Sequence, residues 1–160
     1  MAIQVGDRIP EVNVNVAQAD GMEATSTSDL MKGKVVLFAV PGAFTPMCSE
    51  QHLPGYVRQA DAILAKGVDR IVCLSVNDGF VMGAWGKAQN VGDKVVMAAD
   101  GSADLTRALG LELDATGFGM GVRAQRFALI ADNGVVTHLA VEDNPTKVEG
   151  SSAEAILAAL

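Results

Sequence analysis

Residues 35–56 read VVLFAVPGAFTPMCSEQHLPGY, and the fold turns on this passage. Its first six residues, 35–40, are apolar and rich in β-branched side chains, the pattern of a central strand covered on both faces. Beyond a turn carrying Pro41 and Pro46, apolar side chains recur at Leu53, Tyr56, Val57, Ala60, Ile63 and Leu64. That spacing is one face of a helix, and Gly67 is its predicted stop. Pro54-Gly55 interrupts the pattern, which predicts a kink or break at that point. Strand, turn and helix thus follow one another, with Cys48 at the junction.

Working outward, residues 12–17 alternate at period two and Asp20-Gly21 marks a turn, so residues 12–26 are predicted to form a short hairpin. Residues 28–33 predict one helical turn ended by Gly33. Residues 70–76 form a second buried strand, with Asn77 or Asp78 capping a helix over residues 80–89. A third strand is predicted at 95–99, and a third helix at 102–109 closed by Gly110. Residues 114–123 are glycine-rich and read as irregular. Asn133-Gly134 between two strand-like runs, 125–131 and 135–141, is a strong hairpin signal, since both positions tolerate positive φ. The sequence from Ser151 to Glu154 reads as a capping box opening a last helix. This order predicts an α/β fold with a mixed central sheet flanked by helices, and it fits a thioredoxin-like fold.

At 160 residues the chain is expected to be a single domain spanning 1–160. It is 49% hydrophobic and 19% charged, with a mean hydropathy of +0.27, as in a well-buried globular protein. A net charge of −7 argues against a nucleic-acid partner, which requires clustered Lys and Arg. No stretch approaches the roughly 20 apolar residues of a membrane span, so no membrane partner is expected. The start, MAIQVGDRIPEV, lacks the basic and apolar regions of a signal peptide. Two cysteines, Cys48 and Cys73, make no disulfide framework at this size, so reduced thiols and a cytoplasmic location are expected.

A strand–turn–helix junction places its first helical residues at the carboxyl end of the sheet, where open α/β folds carry their sites. Unpaired N–H groups and the helix dipole there favour an anion, and so a thiolate. Thr45 lies three residues earlier, and Thr-x-x-Cys has the spacing of a thioredoxin Cys-x-x-Cys with the first thiol changed to a hydroxyl. On position and neighbours alone, Cys48 is equally readable as a reactive thiol or as a buried structural one. Arg126, alone beside Phe127, reads on its own more readily as a solvated surface arginine than as a site residue.

The passage PGAFTPMCSEQHLPGY resembles the peroxidatic site of the peroxiredoxins, specifically the type-five (plant type II-like) branch. The resemblance continues through Cys73-Leu-Ser-Val-Asn-Asp78, through residues 80–86 around Trp85 and through Gly121-Val-Arg123-Ala-Gln-Arg126-Phe127, covering nearly the whole chain. It implies a thiol-dependent peroxidase for hydrogen peroxide and small alkyl hydroperoxides. Cys48 would attack the peroxide and become a sulfenic acid. Thr45 would orient the sulfur and hydrogen-bond the peroxide, and Pro41 would shield the pocket. Arg126 would hold the thiolate anionic and stabilise charge on the departing oxygen. No metal or organic cofactor is needed. Arg123 stays outside the catalytic set. His52, four residues beyond Cys48, reads either as an electrostatic tuner of the thiolate or as a packing and hydrogen-bonding residue. His138 reads as structural.

Two-cysteine members of this branch carry a resolving cysteine in the loop before the last helix. Here residues 144–152 contain none, with Gly150 at the corresponding place. Cys73, within a predicted buried strand, is poorly placed to reach the Cα separation of about 4.4–6.8 Å that a disulfide needs. A one-cysteine mechanism follows, with an external thiol as reductant: glutathione with glutaredoxin first, thioredoxin next. By resemblance a homodimer is expected, built on aromatics in the loops around Phe44, Phe80 and Trp85, though Trp85 reads equally well as an interior helix residue. Competing readings are a non-enzymatic peroxide sensor relaying oxidation to a partner and a binding module with structural cysteines. The joint presence of Thr45, Cys48 and Arg126 counts against the last.

Overall fold

The computed structural model describes residues 1–160. Seven strands make the main sheet: β1 (Asn13–Gln18), β2 (Gly21–Ser26), β3 (Lys34–Ala39), β4 (Arg70–Ser75), β5 (Val96–Ala99), β8 (Phe127–Asp132) and β9 (Val135–Val141), in the spatial order β2-β1-β5-β4-β3-β8-β9. β3, β4 and β5 run parallel, and the other pairings are antiparallel, so the sheet is mixed. Two further strands, β6 (Glu112–Asp114) and β7 (Val122–Ala124), form a separate two-stranded ribbon around a 3-10 turn at Thr116–Phe118. The glycine-rich passage 114–123 is therefore more ordered at its ends than its composition indicated. The helices are α1 (Thr27–Leu30), α2 (Leu53–Leu64), α3 (Gly79–Ala88), α4 (Asp104–Leu109) and α5 (Ala153–Ala159), none long and apolar enough to cross a membrane.

Alternation along the central strands divides the core in two. Val36, Phe38 and Val40 face one side with Ile71, Cys73, Ala128 and Ile130, under α2, α3 and α5. Val35, Leu37 and Ala39 face the other with Val72, Leu74, Phe127 and Leu129, under α4 and the amino-terminal segment. Both faces are dry, which is why the interior positions of these strands are apolar. The predicted face of α2 is the buried one: Leu53, Tyr56, Ala60 and Ile63 are each fully buried. Burial of side chains this large stabilises by roughly 1.5–3 kcal/mol each.

The expected break at Pro54-Gly55 is displaced. Residues 46–64 are continuously helical, and Cys48–His52 forms a wide π-helical turn in which Leu53 N–H donates to the Cys48 carbonyl. A proline ring inside a regular helix clashes with the carbonyl four residues earlier, and a widened turn there relieves the clash without ending the helix. The last helix differs too: Ser152, not Ser151, is its cap, accepting from Ala155 N–H. Asp78 caps α3 as expected, through Val81 N–H.

Gly110 ends α4 in the left-handed region at φ +69°, and a Cβ there would collide with the Met1 carbonyl. Backbone cannot yield as a flexible side chain does. Gly110→Ala is therefore expected to lower stability by about 2 kcal/mol or more, measured by urea unfolding.

Candidate active site

Strand parity and direction bring the site together. Because β8 runs antiparallel to β3, with Phe127 opposite Ala39, the residue before Phe127 lies beside the chain where β3 gives way to the Pro41 turn. Phe127 faces the α4 side, so its neighbour Arg126 faces the opposite side, where the helix carrying Cys48 packs. Arg126 is 2% exposed, and its Nη2 donates to Cys48 Sγ at 3.1 Å. Its Nη1 donates to His52 Nδ1 at 2.8 Å and its Nε to the Pro145 carbonyl at 2.9 Å.

No carboxylate pairs with this guanidinium; the chain's ion pairs are Lys32–Asp29 and Lys94–Asp61, both on the surface. Water has been removed from Arg126 without an acid to replace it. Negative charge on Cys48 Sγ is the compensation the geometry offers. Cys48 itself is fully buried in the first turn of the helix.

The other predicted residues lie in the same turn without touching the sulfur by hydrogen bond. Pro41 is buried two residues beyond the end of β3. Thr45 donates its hydroxyl to the Gly42 carbonyl at 2.6 Å, and Ser49 N–H donates to the Thr45 carbonyl. With its proton so used, the half-buried Thr45 oxygen is left as an acceptor. The turn is pinned sideways by Ala43 N–H donating to Asn77 Oδ1 at 3.0 Å. Arg123 makes no hydrogen bond to the sulfur; its Nε donates to the Met120 carbonyl, and its Nη1 packs against Gly42, 3.3 Å from where a Cβ there would stand.

His52 is not a cation. Burial, then the adjacent Arg126 charge, lower its pKa from 6.5 to about 3, against the opposing pull of the Ser151 carbonyl and Glu142. Electrostatic tuning by a charged imidazole is therefore excluded, and its role is hydrogen bonding. Its Nε2 pairs with the Ser151 carbonyl at 3.0 Å, which can only accept, so Nε2 carries the proton and Nδ1 receives Arg126. Phe38 stacks on Tyr56 with centroids 3.8 Å apart and lies 5.0 Å from the imidazole, fixing the ring. His138 is in β9 facing Ile130 of β8, outside the site.

Trp85 is fully buried, donating to Ser49 Oγ at 3.0 Å, and is not an exposed interface aromatic. Phe44, Phe80 and Phe118 are the exposed ones, at 55%, 75% and 86%. Cys73 is buried in β4 between Phe38 and Met97, in the same apolar cluster as Cys48, and both thiols are free. Burial pushes the Cys73 thiol well up, and the nearby Cys48 sulfur adds to this, which favours its protonated form.

Sequence reasoning missed Tyr56, Ser151 and Glu142. Tyr56 carried a signal, lying four residues beyond His52 on the same helical face. Ser151 was assigned to a helix cap instead.

The redoxin family model matches residues 4–157. Peroxiredoxin-2D of Arabidopsis thaliana is 47% identical over 99% of this chain and 98% of its own length. The chloroplastic Peroxiredoxin-2E-2 of Oryza sativa subsp. japonica is 48% identical over 99% of this chain and 72% of its own. The crystal structure of reduced Prx3 from Vibrio vulnificus in complex with H2O2 is 54% identical, covers 98% of each chain and superposes with a TM-score of 0.92.

The titrations predict acid sensitivity. An unfolded imidazole takes up a proton as pH falls through 6.5, whereas folded His52 stays neutral down to about 3, so acid favours the unfolded chain across that window. Burial alone would raise the Glu142 carboxyl, but hydrogen bonds from Ser151 and Glu149 hold it below 4.5, so its contribution is present above that value and lost at lower pH. Urea unfolding at pH 4.5 should show on the order of 2 kcal/mol less stability than at pH 7, and His52→Gln should remove most of that difference.

Proposed function

The chain belongs to the redoxin family as one of its peroxiredoxins, a thiol-dependent peroxidase, and we propose that it works through Cys48 by a one-cysteine mechanism. The observation that carries this reading is the Arg126 Nη2 donor 3.1 Å from Cys48 Sγ, on a buried guanidinium with no carboxylate partner. In the reaction, the Cys48 sulfur donates an electron pair to the nearer peroxide oxygen and the O–O bond breaks. The departing oxygen leaves with the bonding pair and takes a proton as water or an alcohol. Arg126 favours the anionic sulfur before attack and the developing negative charge during it. Thr45, its own proton engaged by Gly42, accepts from the peroxide hydroxyl and orients it. Pro41 closes the pocket against water. The substrates are hydrogen peroxide and small alkyl hydroperoxides, in keeping with the H2O2 complex of the Vibrio vulnificus relative.

Turnover then needs an external thiol. Its sulfur attacks the Cys48 sulfenic acid, expelling water and forming a mixed disulfide, and a second thiol exchange restores Cys48. Support comes from the absence of cysteine in residues 142–160 and from the protonated, buried state of Cys73. Glutathione with glutaredoxin is the favoured reductant and thioredoxin the next. We place the enzyme in the cytoplasm, and read the exposed Phe44, Phe80 and Phe118 as the material of a homodimer interface.

Stopped-flow peroxide oxidation of the reduced protein tests the assignment. Cys48→Ser should abolish rapid consumption, while Cys73→Ser should keep both the fast oxidation and turnover with glutathione and glutaredoxin. One equivalent of peroxide should leave a sulfenic acid on Cys48 by mass spectrometry. A Cys48–Cys73 disulfide in its place would overturn the one-cysteine mechanism.

A further inference from the structure

The loop between β9 and α5 is bound to the site from two directions. Glu142 lies just past the Phe127–Val141 pair of the β8–β9 ladder, and its N–H donates to the Arg126 carbonyl at 2.9 Å. Its side chain then gathers the far end of the loop. A single oxygen, Oε2, accepts from Glu149 N–H at 2.8 Å, Ser151 N–H at 2.8 Å and the Ser151 hydroxyl at 2.6 Å. Residues 142–151 are thereby closed into a strap. By contrast, the bonds made by Asn144 are local, to Thr146 and Lys147.

The inner side of the strap meets the catalytic guanidinium. The Ser151 carbonyl accepts from Tyr56 at 2.8 Å and from His52 Nε2, and His52 Nδ1 receives Arg126 Nη1. The Pro145 carbonyl, in the same strap, takes Arg126 Nε. A guanidinium is planar and rigid, so fixing Nε and Nη1 fixes where Nη2 points. Nη2 is the nitrogen that faces Cys48 Sγ.

We propose that Glu142 is a positioning residue for the reaction at Cys48, acting through Ser151 and His52 and through the Pro145 carbonyl on Arg126. This rests on the peroxidase reading of Cys48 above. A carboxylate is required because one oxygen serves three donors, and a neutral amide oxygen binds such a cluster less strongly. The charged and titratable groups around the relay are Arg126, His52, Tyr56, Glu149 and Glu154. Glu149 enters it only through its backbone N–H, which makes its side chain a suitable control.

The test uses the full chain and two readouts at Cys48. One is the rate of peroxide oxidation, and the other is alkylation by iodoacetamide across pH, which reports the ionised sulfur without any peroxide. Glu142→Gln should slow oxidation about tenfold, the scale of one weakened charged hydrogen bond, and move the alkylation profile to higher pH. Glu149→Gln should match the parent. In an Arg126→Lys background, Glu142→Gln should have no further effect, since its influence passes through the guanidinium. Rates and profile unchanged in Glu142→Gln, or slowed equally in the lysine background, would overturn the proposal. If Glu142→Gln does not fold, Ser151→Ala removes one bond and keeps the carbonyl. It should then show the same shifts at about a third of the size, and parental behaviour there would equally overturn the proposal. A parent that ignores peroxide while Glu142→Gln still shifts the alkylation profile would sink the peroxidase reading while upholding the positioning role.

Discussion

Arg126 is a guanidinium almost wholly removed from water with no acid beside it, and most of the local architecture follows from accommodating it. Burying a charge costs several kcal/mol even after relaxation, and unpaired buried charges are among the most destabilising features a core can contain. Three polar contacts offset the cost here: a backbone carbonyl, a neutral imidazole and a sulfur. The first two are dipoles. Only the sulfur can become an anion in place, so the demand made by the cation is delivered to one atom.

Each level of the fold contributes to that delivery. Antiparallel pairing of β3 and β8 sets the end of one strand beside the start of the other, and the two-residue period of β8 turns Arg126 toward the α2 side. Proline 54 forces a wide turn at Cys48–His52, which lets the helix continue into the apolar face that anchors it. The Phe38–Tyr56 stack makes the floor rigid, and Trp85 ties the turn to α3 through Ser49. Rigidity around a reactive group preserves donor directions, which matters more for catalysis than additional contacts would.

The strands, the hairpin at Asn133-Gly134 and the buried face of α2 were legible because each rests on a short-range pattern: alternation, a turn dipeptide, a helical stripe. That Cys48, Thr45 and Pro41 share one turn was legible because they are contiguous, and the structure brings Arg126, singled out through the family resemblance, to Cys48. What escaped was tertiary. His52 and Ser151 are 99 residues apart, and no local signal says that a serine two places before a helix will offer its carbonyl to an imidazole. Ser151 fits the capping box with Glu154, whereas Ser152, three residues before Ala155, offers only a plain hydroxyl cap; the helix nevertheless starts from Ser152, and Ser151 is buried. Trp85 reads from the sequence equally as an interface aromatic or an interior helix residue, and the structure bears out the interior reading; helix spacing does not reveal its partner, Ser49, 36 residues away. The helix irregularity was correctly sensed from Pro54-Gly55 but displaced, since a proline's clash is relieved in the turn preceding it.

On the proposed reading of Cys48, the unpaired state of Arg126 would also link redox chemistry to the folding equilibrium. A mixed disulfide carries no charge at the sulfur, so forming one would deprive a cation that cannot leave of the compensation a thiolate gives it. The closed arrangement around residues 46–52 would then be higher in free energy in that state than in the reduced one. The bound charge would act as a spring, and the site would be loosest when the second thiol must reach the sulfur.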